Sequence, residues 1–208
     1  MEEQNDLLLE QDEKQYPEKW LKIGVKVGIL GAGLSMFDLL GEFKSGDEDL
    51  LNFLGVVSFI GEAVFTIVQA IFLYLITCKM KSNNMQKPSV LLFYILIASS
   101  CLASFVWFFD DDSMIGLIIY LAMLLITGYN CRSTSETKKL GNSMLLLPVG
   151  FIVSAIIVGI VLDVNPRIKG RWTFLLMILP YMAAVIFYLE SCSKFLKSSK
   201  PKEVPAQD

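Results

Sequence analysis

The chain of 208 residues contains no histidine, and it has only four cysteines, Cys78, Cys101, Cys131 and Cys192. Histidine is the commonest metal ligand and the usual general base near neutral pH, so its absence excludes Ser-His and Cys-His catalysis. The cysteines form no Cys-x-x-Cys pair, which leaves no support for a metal site or for thioredoxin-like chemistry. We therefore expect no catalytic residue, no metal, no cofactor and no enzymatic activity.

The beginning of the chain also lacks the basic residues of a cleavable signal peptide. Residues 1–19 are polar and rich in acidic side chains, the opposite of the basic leader that precedes the apolar part of such a peptide. Residue 2 is Glu rather than Gly, so we expect no myristoylation. We expect the first apolar stretch to remain in the protein as an uncleaved anchor.

Long apolar stretches dominate the rest of the sequence. Hydrophobic residues make up 54% of the chain and the mean hydropathy is +0.54, and a helix needs ~20 apolar residues to cross the ~30 Å hydrocarbon core of a bilayer. Stretches such as 91–97 do not alternate between apolar and polar residues, which favours helices over barrel strands. The apolar stretches lie near 20–43, 50–78, 88–109, 113–131, 140–162 and 171–192.

These stretches predict an all-α polytopic membrane protein, a bundle of six transmembrane helices arranged as three hairpins. The domain organisation would be an acidic cytoplasmic tail (1–19), a transmembrane domain (20–192) and a basic cytoplasmic tail (193–208). The return stretch of each hairpin ends near a cysteine, at Cys78, Cys131 and Cys192. This could reflect a triplicated hairpin, since transporters often contain internal repeats, but any alternating six-span protein would show a similar pattern.

The distribution of basic residues predicts the orientation. With the N-terminus inside, 14 of the 18 Lys and Arg residues fall on the cytoplasmic side, whereas the predicted outer loops contain acidic runs at 47–49 and 110–112. Cytoplasmic loops carry an excess of Lys and Arg, so both termini are expected to be cytoplasmic, in a plasma or inner membrane. The four basic residues left outside are Lys44, Arg167, Lys169 and Arg171.

Small residues recur every four positions in the first stretch, at Gly24, Gly28 and Ala32. Such a ridge lets another helix backbone approach closely in lipid, so we expect these residues to form a helix–helix contact. Gly31 and Gly33 fit the start of a dinucleotide-binding fingerprint, but Met36 stands where the third Gly is needed and no parallel sheet follows. Packing is therefore the favoured interpretation.

A polar stripe in the second stretch is the most unusual feature of the sequence. Its members, Ser58, Glu62, Thr66 and Gln69, follow one another at helical spacing and so share one face of a helix. Glu62 falls near the middle of the stretch, where a charged carboxylate costs about 2.5–3.5 kcal/mol on insertion scales. Such an acid either serves permeation or proton coupling, or is a structural group bonded to a neighbouring helix, and the sequence does not decide between these alternatives.

The sequence contains no motif that names a substrate. We interpret the chain as a small transporter or channel with a polar intramembrane site around Glu62, to which Asp38 could contribute an outer vestibule. The alternative is a non-catalytic membrane scaffold or a regulatory subunit of a larger membrane complex. The expected partners are the lipid bilayer and other membrane proteins or a second copy of the chain, with no nucleic acid.

Overall fold

A computed structural model describes residues 16–37, 48–83, 87–109, 115–164 and 171–198 of the protein, and within them the fold is all-α. The helical class predicted from the sequence is therefore confirmed. In chain order the helices are α1 (Glu18–Leu34), α2 (Glu48–Ser82), α3 (Lys87–Phe109), α4 (Ile115–Arg132), α5 (Lys138–Val164) and α6 (Arg171–Lys197).

Three of the described helices are long and apolar enough to cross a bilayer. They correspond to Asp49–Ser82 in α2, Ile115–Arg132 in α4 and Lys138–Ile160 in α5, and a shorter apolar stretch, Ser89–Ser104, lies in α3. The 35 residues of α2 span about 52 Å, more than the hydrocarbon core. These helices are compatible with the predicted membrane protein.

Helix α1 is shorter than the stretch predicted for it. The sequence predicted a span over 20–43, but α1 has 17 residues and ends at Leu34, which gives a length of about 25 Å. Beyond it, the Ser35 hydroxyl donates to the Ala32 carbonyl at 2.9 Å, and the chain continues in tight turns up to residue 37. Ser and Gly are weak helix formers because they offer the backbone alternatives to the helix, which apolar content alone does not reveal.

The helices pack as a closed ring in chain order. Each helix contacts the next one, α1 contacts α6 to close the ring, and α2 also reaches α6 across the bundle. All six helices contribute buried side chains to a single apolar core. Large apolar side chains also cover much of the exterior, among them Ile67, Ile118 and Ile160, as expected of a bundle that is surrounded by lipid.

One end of the bundle, here named the basic end, is where α1, α3 and α5 begin and α2, α4 and α6 end. The Lys197 ammonium lies 3.0 Å from the Glu18 carboxylate, which joins the end of α6 to the start of α1. The Lys79 ammonium at the end of α2 donates to the Phe195 carbonyl of α6 at 2.6 Å. Among the described residues, the basic ones located there include Lys19, Lys22, Lys79, Lys81, Lys87, Arg132, Lys138, Lys139, Lys194 and Lys197.

The glycine ridge of α1 faces α2 and α6. A Cβ added at Gly24 would lie 2.9 Å from the Phe72 ring, and one added at Gly28 would lie 2.8 Å from Leu189 Cδ1. Ala32 is fully buried. The ridge residues therefore sit where two other helices come close, which is the kind of contact that small residues permit between membrane helices.

Two further glycines, Gly31 of α1 and Gly61 of α2, also lie where these helices approach closely. A Cβ at Gly31 would lie 2.9 Å from the Phe65 backbone nitrogen and 3.0 Å from the Gly61 oxygen, while one at Gly61 would lie 2.5 Å from Leu34 Cβ. The obstacles at both glycines include main-chain atoms, which cannot rotate away. Both positions therefore need the smallest residue.

Candidate functional site

The polar stripe of α2 is turned away from the exposed side of the helix. Gln69 is fully buried, Glu62 and Thr66 are partly buried, and large side chains on the opposite faces, such as Ile60 and Ile67, are exposed. The four residues of the stripe do not all line the same space, however. Ser58 donates to the Ser35 carbonyl at 2.7 Å, at the end of α1, whereas the other three residues line a cavity.

This cavity, here named the central cavity, has a volume of about 200 Å³ and receives side chains from α2 through α6 together with residues at the end of α1. Glu62 lies in its wall near the middle of α2. The other polar groups come from Gln69, from serine and threonine hydroxyls and from tyrosines, and most of the remaining wall is apolar. The lining residues are Ser35, Met36, Glu62, Phe65, Thr66, Gln69, Ser100, Ala103, Ser104, Leu117, Tyr120, Leu121, Leu147, Phe151 and Tyr181.

Two helices present hydroxyl groups to Glu62. The Ser104 hydroxyl of α3 lies near the carboxyl group and is also 2.8 Å from the Thr66 hydroxyl. The Tyr181 hydroxyl of α6 lies close enough to Glu62 for electrostatic interaction. Among the side chains described at the cavity, Glu62 is the only carboxyl group and there is no Lys or Arg, so an ionised Glu62 would make the cavity negative.

Gln69 connects four helices on the side of the cavity nearer the basic end. Its amide nitrogen donates to the Tyr120 hydroxyl of α4, with a longer contact of 3.5 Å to the Tyr188 hydroxyl of α6. Its amide oxygen accepts from the Ser100 hydroxyl of α3 at 3.4 Å. One turn further on, Leu73 is fully buried. Gln69 therefore lies between the cavity and the packed core beneath it.

Tyr181 follows a proline inside α6. Pro180 lies inside α6, where a proline ring disrupts the hydrogen-bonding pattern of the helix. The Tyr181 backbone N–H donates to the Ser154 hydroxyl of α5 at 3.1 Å, and side-chain contacts of this type help proline to be tolerated in membrane helices. The Tyr181 ring meets Phe151 edge to face, with centroids 6.2 Å apart.

The structure separates the other sequence-predicted positions from the cavity. Gly24, Gly28 and Ala32 belong to the contact of α1 with α2 and α6 and do not line the cavity. Asp38, predicted as part of an outer vestibule, lies outside the residues that the structure describes.

Sequence reasoning did not assign Ser100, Ser104, Tyr120, Phe151 or Tyr181 to the site. The serines carried a usable signal, because Ser100, Ala103 and Ser104 share one helix face, as the α2 stripe does. The tyrosines carried a weaker one. A buried tyrosine hydroxyl usually finds a polar partner, but the sequence does not show which one.

The described side chains do not include a group of three or more His, Cys, Asp or Glu residues that could hold a metal ion. Cys78, Cys101, Cys131 and Cys192 are free thiols. No protein-family model, curated protein or solved structure matches this chain.

Proposed function

We propose that the protein is a multi-pass membrane protein of six spans, with both termini cytoplasmic, that moves a small solute or protons through the site around Glu62. Three helices already have the length and composition of spans, and we assign α1, α3 and α6 to the membrane because they pack beside those three in one ring. The clustering of Lys and Arg at the basic end supports a cytoplasmic location for that end.

The observation that carries the transport proposal is the central cavity with Glu62, the one acid among its described lining residues. An ionisable residue inside a membrane bundle generally faces a polar pathway and marks a functional site. Glu62 satisfies this description, because it lines a cavity about 200 Å³ in volume that the end of α1 and the other five helices surround. Substrate sites of many transporters likewise lie near the bilayer midplane between packed helices.

A second candidate function, a scaffold or regulatory subunit, is favoured by the packing between the cavity and the basic end. Gln69 bonds across the bundle there, and Leu73, Ile76 and Tyr188 are fully buried behind it. A transporter would have to open this packed half during its cycle, whereas a scaffold would keep it closed.

Proton flux across liposomes that contain the purified protein discriminates between the transport function and the scaffold function. Liposomes with a trapped pH-sensitive dye, given a proton gradient, should show protein-dependent flux for the wild type. Glu62→Gln removes the titratable group and nearly preserves the size of the side chain, so the flux or its pH dependence should be lost while the protein stays folded. Glu136→Gln, at an exposed position outside the cavity, is the matched control and should behave as wild type.

A folded Glu62→Gln protein whose flux matches the wild type across the pH titration would remove the transport proposal. The scaffold function would then remain, and Glu62 would be a structural hydrogen-bonding group that Gln can replace.

A further inference from the structure

The wall of the central cavity combines one acid with several aromatic rings. Glu62 is its only carboxyl group among the described side chains, and the aromatic residues are Phe65, Tyr120, Phe151 and Tyr181. Aromatic faces attract cations through the ring quadrupole, and the attraction grows when the cation is shielded from water. A carboxylate and aromatic faces in one small space therefore favour the same kind of ligand, a cation with apolar groups around its charge.

We propose that the central cavity binds a small organic cation, with its ammonium group beside the Glu62 carboxylate and its apolar part against the rings of Phe151 and Tyr181. This proposal rests on the proposed function and names the substrate class of that same site. It makes Glu62 the charge that selects cations, and the aromatic residues the surface that selects organic ones.

A bare metal ion fits this cavity less well. Hard divalent cations require about six or more oxygen ligands, and one carboxylate supplies at most two. The hydroxyl groups of Thr66 and Ser104 already bond to each other, and Gln69 is engaged with Ser100 and Tyr120. The rest of the wall is largely apolar, which suits the carbon groups of an alkylammonium ion.

The volume limits the size of the ligand. The cavity holds about 200 Å³, whereas an apolar protein cavity of ~150 Å³ is sufficient to bind benzene. A ligand of roughly that size therefore fits without displacing the surrounding helices. Tetramethylammonium lies within this limit, keeps its charge at every pH and does not cross lipid unaided, which makes it a suitable probe.

Binding is tested by thermal unfolding of the full chain in detergent. A ligand that binds the folded state raises the unfolding midpoint with concentration, and the dependence yields a dissociation constant. Tetramethylammonium should raise the midpoint, while the neutral tert-butanol, which is close to it in size, and potassium chloride at matched ionic strength should not. An equal effect of tert-butanol or of potassium would overturn the proposal.

Two variants locate the site. Glu62→Gln should weaken tetramethylammonium binding by about tenfold or more, because it removes the opposite charge. Phe151→Leu keeps an apolar side chain but removes one ring, and should weaken binding about two- to fivefold. Glu136→Gln should bind as the wild type does. Unchanged affinity in both cavity variants would place the ion elsewhere and overturn the proposal.

The outcomes separate this proposal from the one on which it rests. Proton flux that depends on Glu62, without any tetramethylammonium binding, would overturn the substrate class and leave the proposed transport intact. Tetramethylammonium binding that depends on Glu62, in a protein that moves neither protons nor tetramethylammonium across liposomes, would support the cation site and remove transport.

Discussion

The hydroxyl oxygens of Thr66 and Ser104 lie 2.8 Å apart and join α2 to α3 beside the Glu62 carboxyl group. One turn toward the basic end, Gln69 and Ser100 join the same two helices again. Helix α2, which carries Glu62, is thus joined to α3 by polar contacts on the cavity side. This arrangement holds the two helices together beside the acid.

Replacement of Gly28 by leucine tests the packing of α1. The Cβ alone would lie 2.8 Å from Leu189 Cδ1 and 3.0 Å from Val68 Cγ1, and overpacking of this kind costs about 1–3 kcal/mol. Gly28→Leu should therefore lower the thermal unfolding midpoint in detergent. Gly159→Leu is the matched control, because a Cβ there meets no heavy atom within 4 Å. Equal midpoints for Gly28→Leu and the wild type would contradict the contact of α1 with α2 and α6.

Loss of the Lys79 ammonium should weaken the end of α6. The group donates to the carbonyls of Phe195 at 2.6 Å and Leu196 at 3.2 Å in the last turn of the helix, where carbonyls lack intrahelical partners. The Phe195 carbonyl also accepts from the Ser198 hydroxyl at 2.8 Å. Lys79→Met keeps the apolar stem and should lower the free energy of unfolding by about 1–2 kcal/mol. The same change at the exposed Lys139 should have little effect. Equal losses of unfolding free energy in Lys79→Met and Lys139→Met would argue against the contact of Lys79 with the end of α6.

The ion pairs of Glu18 predict an unusually acidic carboxyl group. Hydrogen bonds from Lys22 and Lys197 lower the pKa of Glu18 from 4.5 to about 2. A lowered pKa means that the ionised form stabilises the fold above about pH 4.5, and that this contribution is lost as the pH falls through about 2. Lys197→Met should raise the pKa of Glu18, measured by carbon-13 NMR of the labelled carboxyl, whereas Lys194→Met should not.

An unchanged pKa of Glu18 in Lys197→Met would contradict the contact between the start of α1 and the end of α6. It would leave Lys22, the neighbour on the same helix, as the sole cause of the lowered value.

Accessibility labelling tests the predicted orientation. Single cysteines introduced at positions 111 and 135 in a background without the four native cysteines should react with membrane-impermeant reagents from opposite sides. The preference of Lys and Arg for cytoplasmic loops predicts that residue 135 is labelled from the cytoplasm and residue 111 from outside. The reverse pattern would mean that the basic end faces outward.

Hydrophobicity and helical spacing predicted much of the architecture. The second apolar stretch was placed at 50–78 and α2 covers Glu48–Ser82, while the fifth was placed at 140–162 and α5 covers Lys138–Val164. Apolar content marks such helices because lipid and the buried core select the same residues. It failed at the end of α1, where turn chemistry around Ser35 decides the boundary.

Only the part of the candidate site that lies on α2 was predicted from the sequence. Spacing along α2 placed Glu62, Thr66 and Gln69 on one face, because residues three and four apart are neighbours in any helix. The partners Tyr120 and Tyr181 stand far along the chain and reach the cavity only through the way the helices pack. Gly61 was missed for the same reason, since its close approach to Leu34 depends on how α1 and α2 cross.

The most direct test of the account is whether water reaches position 62. In the background without native cysteines, Glu62→Cys and Ile67→Cys differ in the surface they face, because Glu62 lines the cavity and Ile67 is 59% exposed on the outside of the bundle. A small cationic thiol reagent should modify residue 62 at least about tenfold faster than residue 67, because thiols react as thiolates, which form poorly in lipid. Equally slow modification at both positions, in folded protein in liposomes, would contradict a functional cavity at Glu62.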